Sequence, residues 1–465
     1  MKRFILCLIL FFPLSSSAFA HSLLRSSSSE FHSRPAALTL KQAIQIALQK
    51  NPEILMAEGK LEKAGGELQK TKARTMPILA LHGFAFTGNT ITMIDTPAIS
   101  PMGWITTTKN GNFGGDAAFS YPLYTGGYLK ELVKSSRFRK FSQKDKLKAA
   151  RLDVIFKTAQ AYDGVLWGEA DLKTALSDLK RSKESYRLAQ EFFKAGKVPY
   201  FYLLRSRARR AESREKEIQA ENDLNLREIQ LSNVLGETSV LKAIPSGKLT
   251  ISVYPVFQRS FPSARSDSSH FPAILRKLLK VAYQNRPDSL AVRSEIDQVS
   301  AELKSIKGSY FPQVYFYGRY DSLSNSPGAF NGYNVGIHAS VSLFDGGERK
   351  GEIREAKGML KVEKGELKRI RLKIKNQTAQ GFLNEQTALK ELAAARQEVK
   401  FAKENLRIVM LRFRSGKGIF LEVLDAEDAL TKARYQEIQA LYDLNVSQAY
   451  LRWALGMPIW KNRKL

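Results

Sequence analysis

The chain has 465 residues, 25% of them charged, a net charge of +28 and a single cysteine, Cys7. That length allows one large core or two to three domains, and one cysteine excludes a disulfide framework. So basic a balance would indicate nucleic acid in a cytoplasmic protein, but acidic lipid or a charged channel wall in an exported one.

The amino terminus reads as export. Met1-Lys-Arg precedes an apolar run from Phe4 to Phe12, and Ala18-Phe-Ala20 closes it. A basic start, a short apolar stretch and an A-x-A end describe a signal peptide over residues 1–20. Cys7 lies inside it, so the mature chain is expected to hold no cysteine. Nucleic acid then drops out as a partner. Residues 21–37 form an aperiodic lead-in. No later stretch approaches the ~18 to 20 apolar residues of a membrane-spanning helix, so any crossing must use strands.

Leu38 to Leu48 has helical periodicity with Thr39 as N-cap. Asn51-Pro52 starts a new helix, expected over Glu53–Met76 and ended by Pro77. The period then changes from 3.6 to 2, which predicts a hairpin with strands at 78–87 and 116–124. Gly126-Gly127 closes it. A long helix is expected over Tyr128–Ala195 and a return helix over Pro199–Leu235, joined by a turn at Gly196. Residues 237–271, rich in Pro and Ser, read as a linker.

The whole series then recurs. Ala47 to Pro52 matches Ala282 to Pro287 at an offset of 235, and Pro77 matches Pro312. After the hairpins the offset is 220: Gly196 falls on Gly416, Leu204 on Leu424 and Leu235-Gly236 on Leu455-Gly456. The repeats therefore span 38–236 and 272–458, with second-repeat strands near 313–322 and 334–344 and a basic tail at 459–465. In Gln313 to Asp321, Val314, Phe316 and Tyr320 point one way and Tyr315, Tyr317, Arg319 and Asp321 the other. Each long helix covers ~100 Å at 1.5 Å per residue, which matches the pre-strand and return helices laid end to end.

One chain supplies four strands, and an open sheet edge in lipid leaves backbone groups unpaired. Two chains would give an eight-stranded barrel filled by side chains, and three a twelve-stranded one.

The paired A-x-Q-x-x-P starts, the x-Phe-x-x-Gly turns and Phe420-Leu-Glu-Val-Leu-Asp-Ala-Glu-Asp428, in this doubled order, resemble the TolC family of outer-membrane efflux proteins over nearly all of Leu38 to Pro458. The resemblance implies an α+β membrane protein, a homotrimer whose twelve-stranded β-barrel continues as a periplasmic coiled-coil helical barrel. It implies a channel for efflux or for type I protein secretion, a periplasmic adaptor, and an inner-membrane transporter of RND, ABC or MFS type. It also implies that the turns at Ala195-Gly196-Lys197 and Ser415-Gly416-Lys417 are adaptor-contacting tips, and that Glu422 and Asp425 form a constriction. The chain departs from the family where Tyr202 takes the place of a gate acid, with Arg205 one turn on, and where Gly418 replaces a basic partner. A contact from Tyr202 or Arg205 to Glu422 or Asp425 is the expected substitute.

Lys130, Lys134, Arg349 and Lys350 open two strongly basic stretches directly after the hairpins. They are expected to face outer-membrane lipid, against the plainer reading of a solvated helix surface. The five histidines are scattered without ligand spacing, and no phosphate loop or nucleophile elbow appears. Neither a metal, a cofactor nor an enzymatic activity is expected. An envelope coiled-coil protein and an exported polyanion binder remain the alternatives of other classes.

Overall fold

The computed structural model describes residues 38–86, 112–237, 245, 247, 249–250, 271–325 and 328–457. The expected signal peptide, the lead-in, most of the linker and the basic tail lie outside the described residues. The elements run α1 (Leu40–Lys50), α2 (Pro52–Ala73), β1 (Ile78–Phe86), β2 (Asn112–Tyr124), α3 (Tyr128–Lys194) and α4 (Tyr200–Leu235). They repeat as α5 (Phe271–Asn285), α6 (Pro287–Gly308), β3 (Gln313–Asn325), β4 (Gly328–Ser340), α7 (Glu348–Arg414) and α8 (Phe420–Ala454). Among the described residues no helix is long and apolar enough to cross a membrane.

Local chemistry sets the boundaries. Thr39 and Gln42 form a capping box at α1. The Asn51 side chain caps α2, with Pro52 at its first position. α5 opens at Phe271, one residue inside the segment assigned to the linker. Gly127 and Gly347, both at positive φ, precede the long helices.

The strands form one antiparallel sheet in the order β1-β2-β3-β4, which leaves β1 and β4 as edges. Their bounds differ from the sequence expectation in three places. β2 starts at Asn112 rather than 116, running through Gly114-Gly115 because β1 and β3 flank them; a Cβ on Gly114 would lie 2.6 Å from the Ser322 carbonyl. β3 continues to Asn325. β4 covers 328–340 rather than 334–344, because β3 begins at Gln313, whose partner is Ser340, and nothing remains to pair with Val341 onward.

The register gives the sheet two chemically different faces. Leu79, Leu81, Phe119, Phe316, Tyr320, Val335 and Ile337 share one of them, and Leu81 and Ile337 are 79% and 67% exposed. The other carries a polar ladder: His82 Nδ1 lies 2.9 Å from Asp116, and Arg319 reaches Asp116 at 3.3 Å and Asp321 at 2.7 Å. Apolar on one side and polar on the other is the alternation of a membrane barrel strand.

The core lies below the sheet. One buried cluster joins α1, α2, α3 and α4 through Ala43, Ile54, Val165 and Leu235; another joins α5, α6, α7 and α8 through Leu278, Val292, Ile374 and Leu455. α3 packs along α2, α4, α6 and α8, whereas α7 packs along α5, α6 and α8.

Candidate functional site: the helical tips and the network above them

The far ends of the helices carry two equivalent turns. Gly196 and Gly416 sit at φ of +70° and +73°, a region open to glycine without a Cβ penalty. Lys197 N donates to the Phe192 carbonyl and Lys417 N to that of Arg412, closing the same six-to-one bond in both repeats. Ala195 and Ser415 cap the long helices, and all six turn residues, Lys197 and Gly416 among them, are exposed. A Cβ on either glycine would meet nothing within 4 Å.

Aromatic packing holds the two tips side by side. Phe192 and Phe413 meet edge to face at 5.4 Å, and Phe413 packs on Phe420 at 5.4 Å. Tyr202 stacks on Phe201 and meets Phe420 edge to face. Its ring serves this cluster. Arg205 makes the expected substitute contact: its Nη2 donates to Asp425 Oδ1 at 3.0 Å. Glu422 belongs to a different pair, 3.7 Å from Arg412 on α7. Of the four expected constriction residues, the structure thus joins Arg205 with Asp425 and leaves Tyr202 and Glu422 on separate partners.

About four to five turns above the tips is a buried polar network that the sequence reading missed. Asp178 on α3 is 2% exposed. Its carboxylate accepts from Arg209 Nη2 at 3.1 Å on both oxygens, from Ser213 Oγ at 2.8 Å and from Thr431 Oγ1 at 2.6 Å. Arg181 adds a bond at 3.3 Å. Arg209 also pairs with Asp428. Nearby, Ser185 Oγ donates to both oxygens of buried Glu427. Three helices, α3, α4 and α8, are therefore joined through one carboxylate. Burial pushes Glu427 up to about 7, against the lowering influence of the Ser185 bond and Arg181. Burial likewise lifts Asp163 and Glu385 to about 7. The available signal was the spacing Asp163, Asp171, Asp178 on one stripe of α3, which places acids on a face otherwise built from Ala, Thr and Ser.

The basic stretches divide. Lys130, Lys134 and Lys350 are exposed. Arg349 is 9% exposed and does not face lipid. Its guanidinium pairs with Asp345, donates to the carbonyls of Ser309 and Ser342 and stacks on Tyr310. The offset explains this, since Arg349 occupies the position of buried Leu129.

Comparison with known proteins agrees with this architecture. The family model for outer membrane efflux protein matches residues 43–237 and 278–457. The alkaline protease secretion protein AprF of Pseudomonas aeruginosa is 23% identical over 347 residues, 73% of this chain and 66% of that protein. The cation efflux system protein CusC of Escherichia coli K12 is 21% identical over 431 residues, 90% of this chain and 86% of its own. Among solved structures, CusC superposes with a TM-score of 0.75 at 17% identity, covering 91% of this chain and 93% of that one. VceC from Vibrio cholerae gives 0.73 at 18%, covering 90% and 96%. The doubled fold and both matched segments assign the chain to the outer membrane efflux protein family.

Proposed function

We propose that three copies of this chain close a twelve-stranded barrel continued by a helical tunnel, and that this trimer is the outer-membrane exit duct of a tripartite export system. The observation that carries the assembly is a groove of about 650 Å³ between α7 and α8, lined by Ala394, Glu398, Phe401, Ala402, Asn405 and Ala429 among others. Subtracting 220 gives Thr174, Asp178, Arg181, Ser182, Ser185 and Arg209. These residues form the seat that α8 occupies with Thr431 and Glu427. The equivalent occupant for the empty seat is α4 of another copy, bringing Ala211 and Arg207. Phe401, 67% exposed in one chain, would be covered there.

The sheet supports the same closure. β1 and β4 end in unpaired backbone, which lipid does not tolerate, and joining β4 of one copy to β1 of the next removes every edge. Twelve strands leave a lumen, whereas eight are filled by side chains. The polar ladder of Arg319, Asp116 and Asp321 then lines the lumen, and the apolar face meets the acyl chains.

At the periplasmic end the exposed turns at Gly196 and Gly416 offer backbone and Lys197 and Lys417 to an adaptor, which links the duct to an inner-membrane transporter of RND, ABC or MFS type. The residues near Arg205 and Asp425 form the closure. The reading of efflux follows CusC; the presence of AprF among the relatives favours protein secretion as the second reading, and the partner transporter decides between them. Purified protein in planar bilayers should show single-channel conductance, and cells that hold the adaptor and transporter but lack this chain should recover export when it is supplied. A monomer in detergent with no conductance would overturn the proposal.

A further inference from the structure

We infer that the first repeat, and not the second, carries a binding groove for an anionic glycerophospholipid of the inner leaflet. The inference rests on the reading of the sheet as membrane-embedded. A groove of about 650 Å³ lies where β2 passes into α3, within the range of ligand sites. Lys130, Lys134 and Arg137 supply charge; Leu123, Phe138 and Phe141 supply apolar wall. No carboxylate lines it, and the nearest acid, Glu131, stands 4.0 Å from Lys134. Lys134 also lies 6.0 Å from the centre of the Phe138 ring. A headgroup phosphate fits the basic side and an acyl chain the aromatic side.

The helix wheel says which way the groove faces. Ser142 and Lys146 of α3 bond to Glu295 on α6. Ser136 and Arg139 bond to Thr71 and Glu67 on α2. At 100° per residue the two sets lie roughly 70° apart around the axis, and Lys130, Arg137 and Phe141 point to the opposite side. In a closed ring of helices the neighbours of each helix subtend less than 180° on the lumen side. The groove therefore opens to the exterior, at the level where the sheet ends. A neighbouring copy does not reach it from either flank, because β2 is flanked by β1 and β3 and α3 by α2 and α6.

The second repeat keeps the charge and lacks the wall. At the offset of 220, Lys130, Lys134 and Arg137 become Lys350, Arg354 and Lys357, but Phe138 becomes Gly358 and Phe141 becomes Lys361. A Cβ at Gly358 would meet nothing within 4 Å. Of the two basic stretches, only the first therefore forms a groove, one per chain.

The test compares lipid retention by the purified protein, read by native mass spectrometry after exchange between phosphatidylglycerol and phosphatidylethanolamine. The parent should retain phosphatidylglycerol preferentially. The triple variant Lys130→Gln, Lys134→Gln, Arg137→Gln should lose affinity by about a hundredfold, roughly a factor of five per basic residue near a lipid surface. The triple variant Lys350→Gln, Arg354→Gln, Lys357→Gln should retain it. Equal loss in both variants, or equal retention of the two lipids by the parent, would overturn the groove. Bilayer conductance is measured on the same samples: normal conductance without lipid preference removes the groove and leaves the channel, while absent conductance in the parent removes the channel reading itself.

Discussion

Arg205 and Asp425 occupy equivalent positions of the two repeats, 220 residues apart, and bond to each other at 3.0 Å. In the proposed trimer the level they define alternates in sign around the ring. Each side chain is about half exposed, so a single pair is worth ~0–1 kcal/mol; closure draws on the set. Arg205→Gln should leave three carboxylates uncompensated and strengthen block of single channels by divalent cations. Asp425→Asn should weaken that block and favour anions. The exchange Arg205→Asp with Asp425→Arg should behave as the parent. Identical block in both single variants would place the constriction at another level.

The Asp178 network predicts where the helices are most sensitive. Arg209→Ala leaves a buried carboxylate short of its main cation, and removing one partner of a buried pair costs about 3–5 kcal/mol. Asp178→Asn keeps bonds with Ser213 and Thr431 and should cost less. Arg214→Ala, which removes an exposed pair with Glu217, should fall within about 0.5 kcal/mol. Thermal or urea unfolding followed by helical circular dichroism ranks the three; an Arg209→Ala no worse than Arg214→Ala would contradict the assignment.

Stability should fall with rising pH. Glu427 is lifted from 4.5 to about 7, chiefly by burial. A carboxyl with a raised folded pKa holds more protons in the folded state between the two values, so its contribution is present below about 4.5 and lost as pH rises through about 7. The full loss is of the order of 3 kcal/mol, and Asp163 and Glu385 act in the same direction. The unfolding midpoint should be higher at pH 5 than at pH 8, and Glu427→Gln should flatten part of that slope. A midpoint that rises with pH would refute it.

The glycines separate folding from docking. Gly196→Val strains a φ of +70° by roughly 1–2 kcal/mol but meets no neighbour. Gly236→Val, at φ +76°, would put its Cβ 2.4 Å from the Lys50 carbonyl. The first should assemble normally and lose export; the second should fail to fold. Export by Gly196→Val at the level of the parent would remove the tip from the adaptor contact.

Much of this was legible in the sequence because the repeat makes each landmark appear twice. Gly196 and Gly416 marked the turns, and the shared offset brought Arg205 and Asp425 to one level. The alternation of Phe316 and Tyr320 against Arg319 and Asp321 gave the two faces of the sheet. What stayed hidden depended on neighbours distant in sequence. Gly114-Gly115 reads as a loop until β1 and β3 enclose it. Asp178 reads as a solvated acid on a highly charged helix until Arg209 and Thr431 converge on it. Arg349 reads as a surface cation until the carbonyls of Ser309 and Ser342 take its donors.

The most direct test of the assembly uses its internal symmetry. Within one chain Asp178 of α3 meets Thr431 of α8 at 2.6 Å. Their equivalents, Glu398 on α7 and Ala211 on α4, are both exposed in the single chain. The variant Glu398→Cys with Ala211→Cys carries no other cysteine besides Cys7, and a disulfide requires Cα atoms about 4.4–6.8 Å apart. Oxidation of this variant in membranes should yield a covalent species of three subunits on a non-reducing denaturing gel, and neither single-cysteine variant should do so. Monomer alone, with both thiols still free, would contradict the proposed trimer.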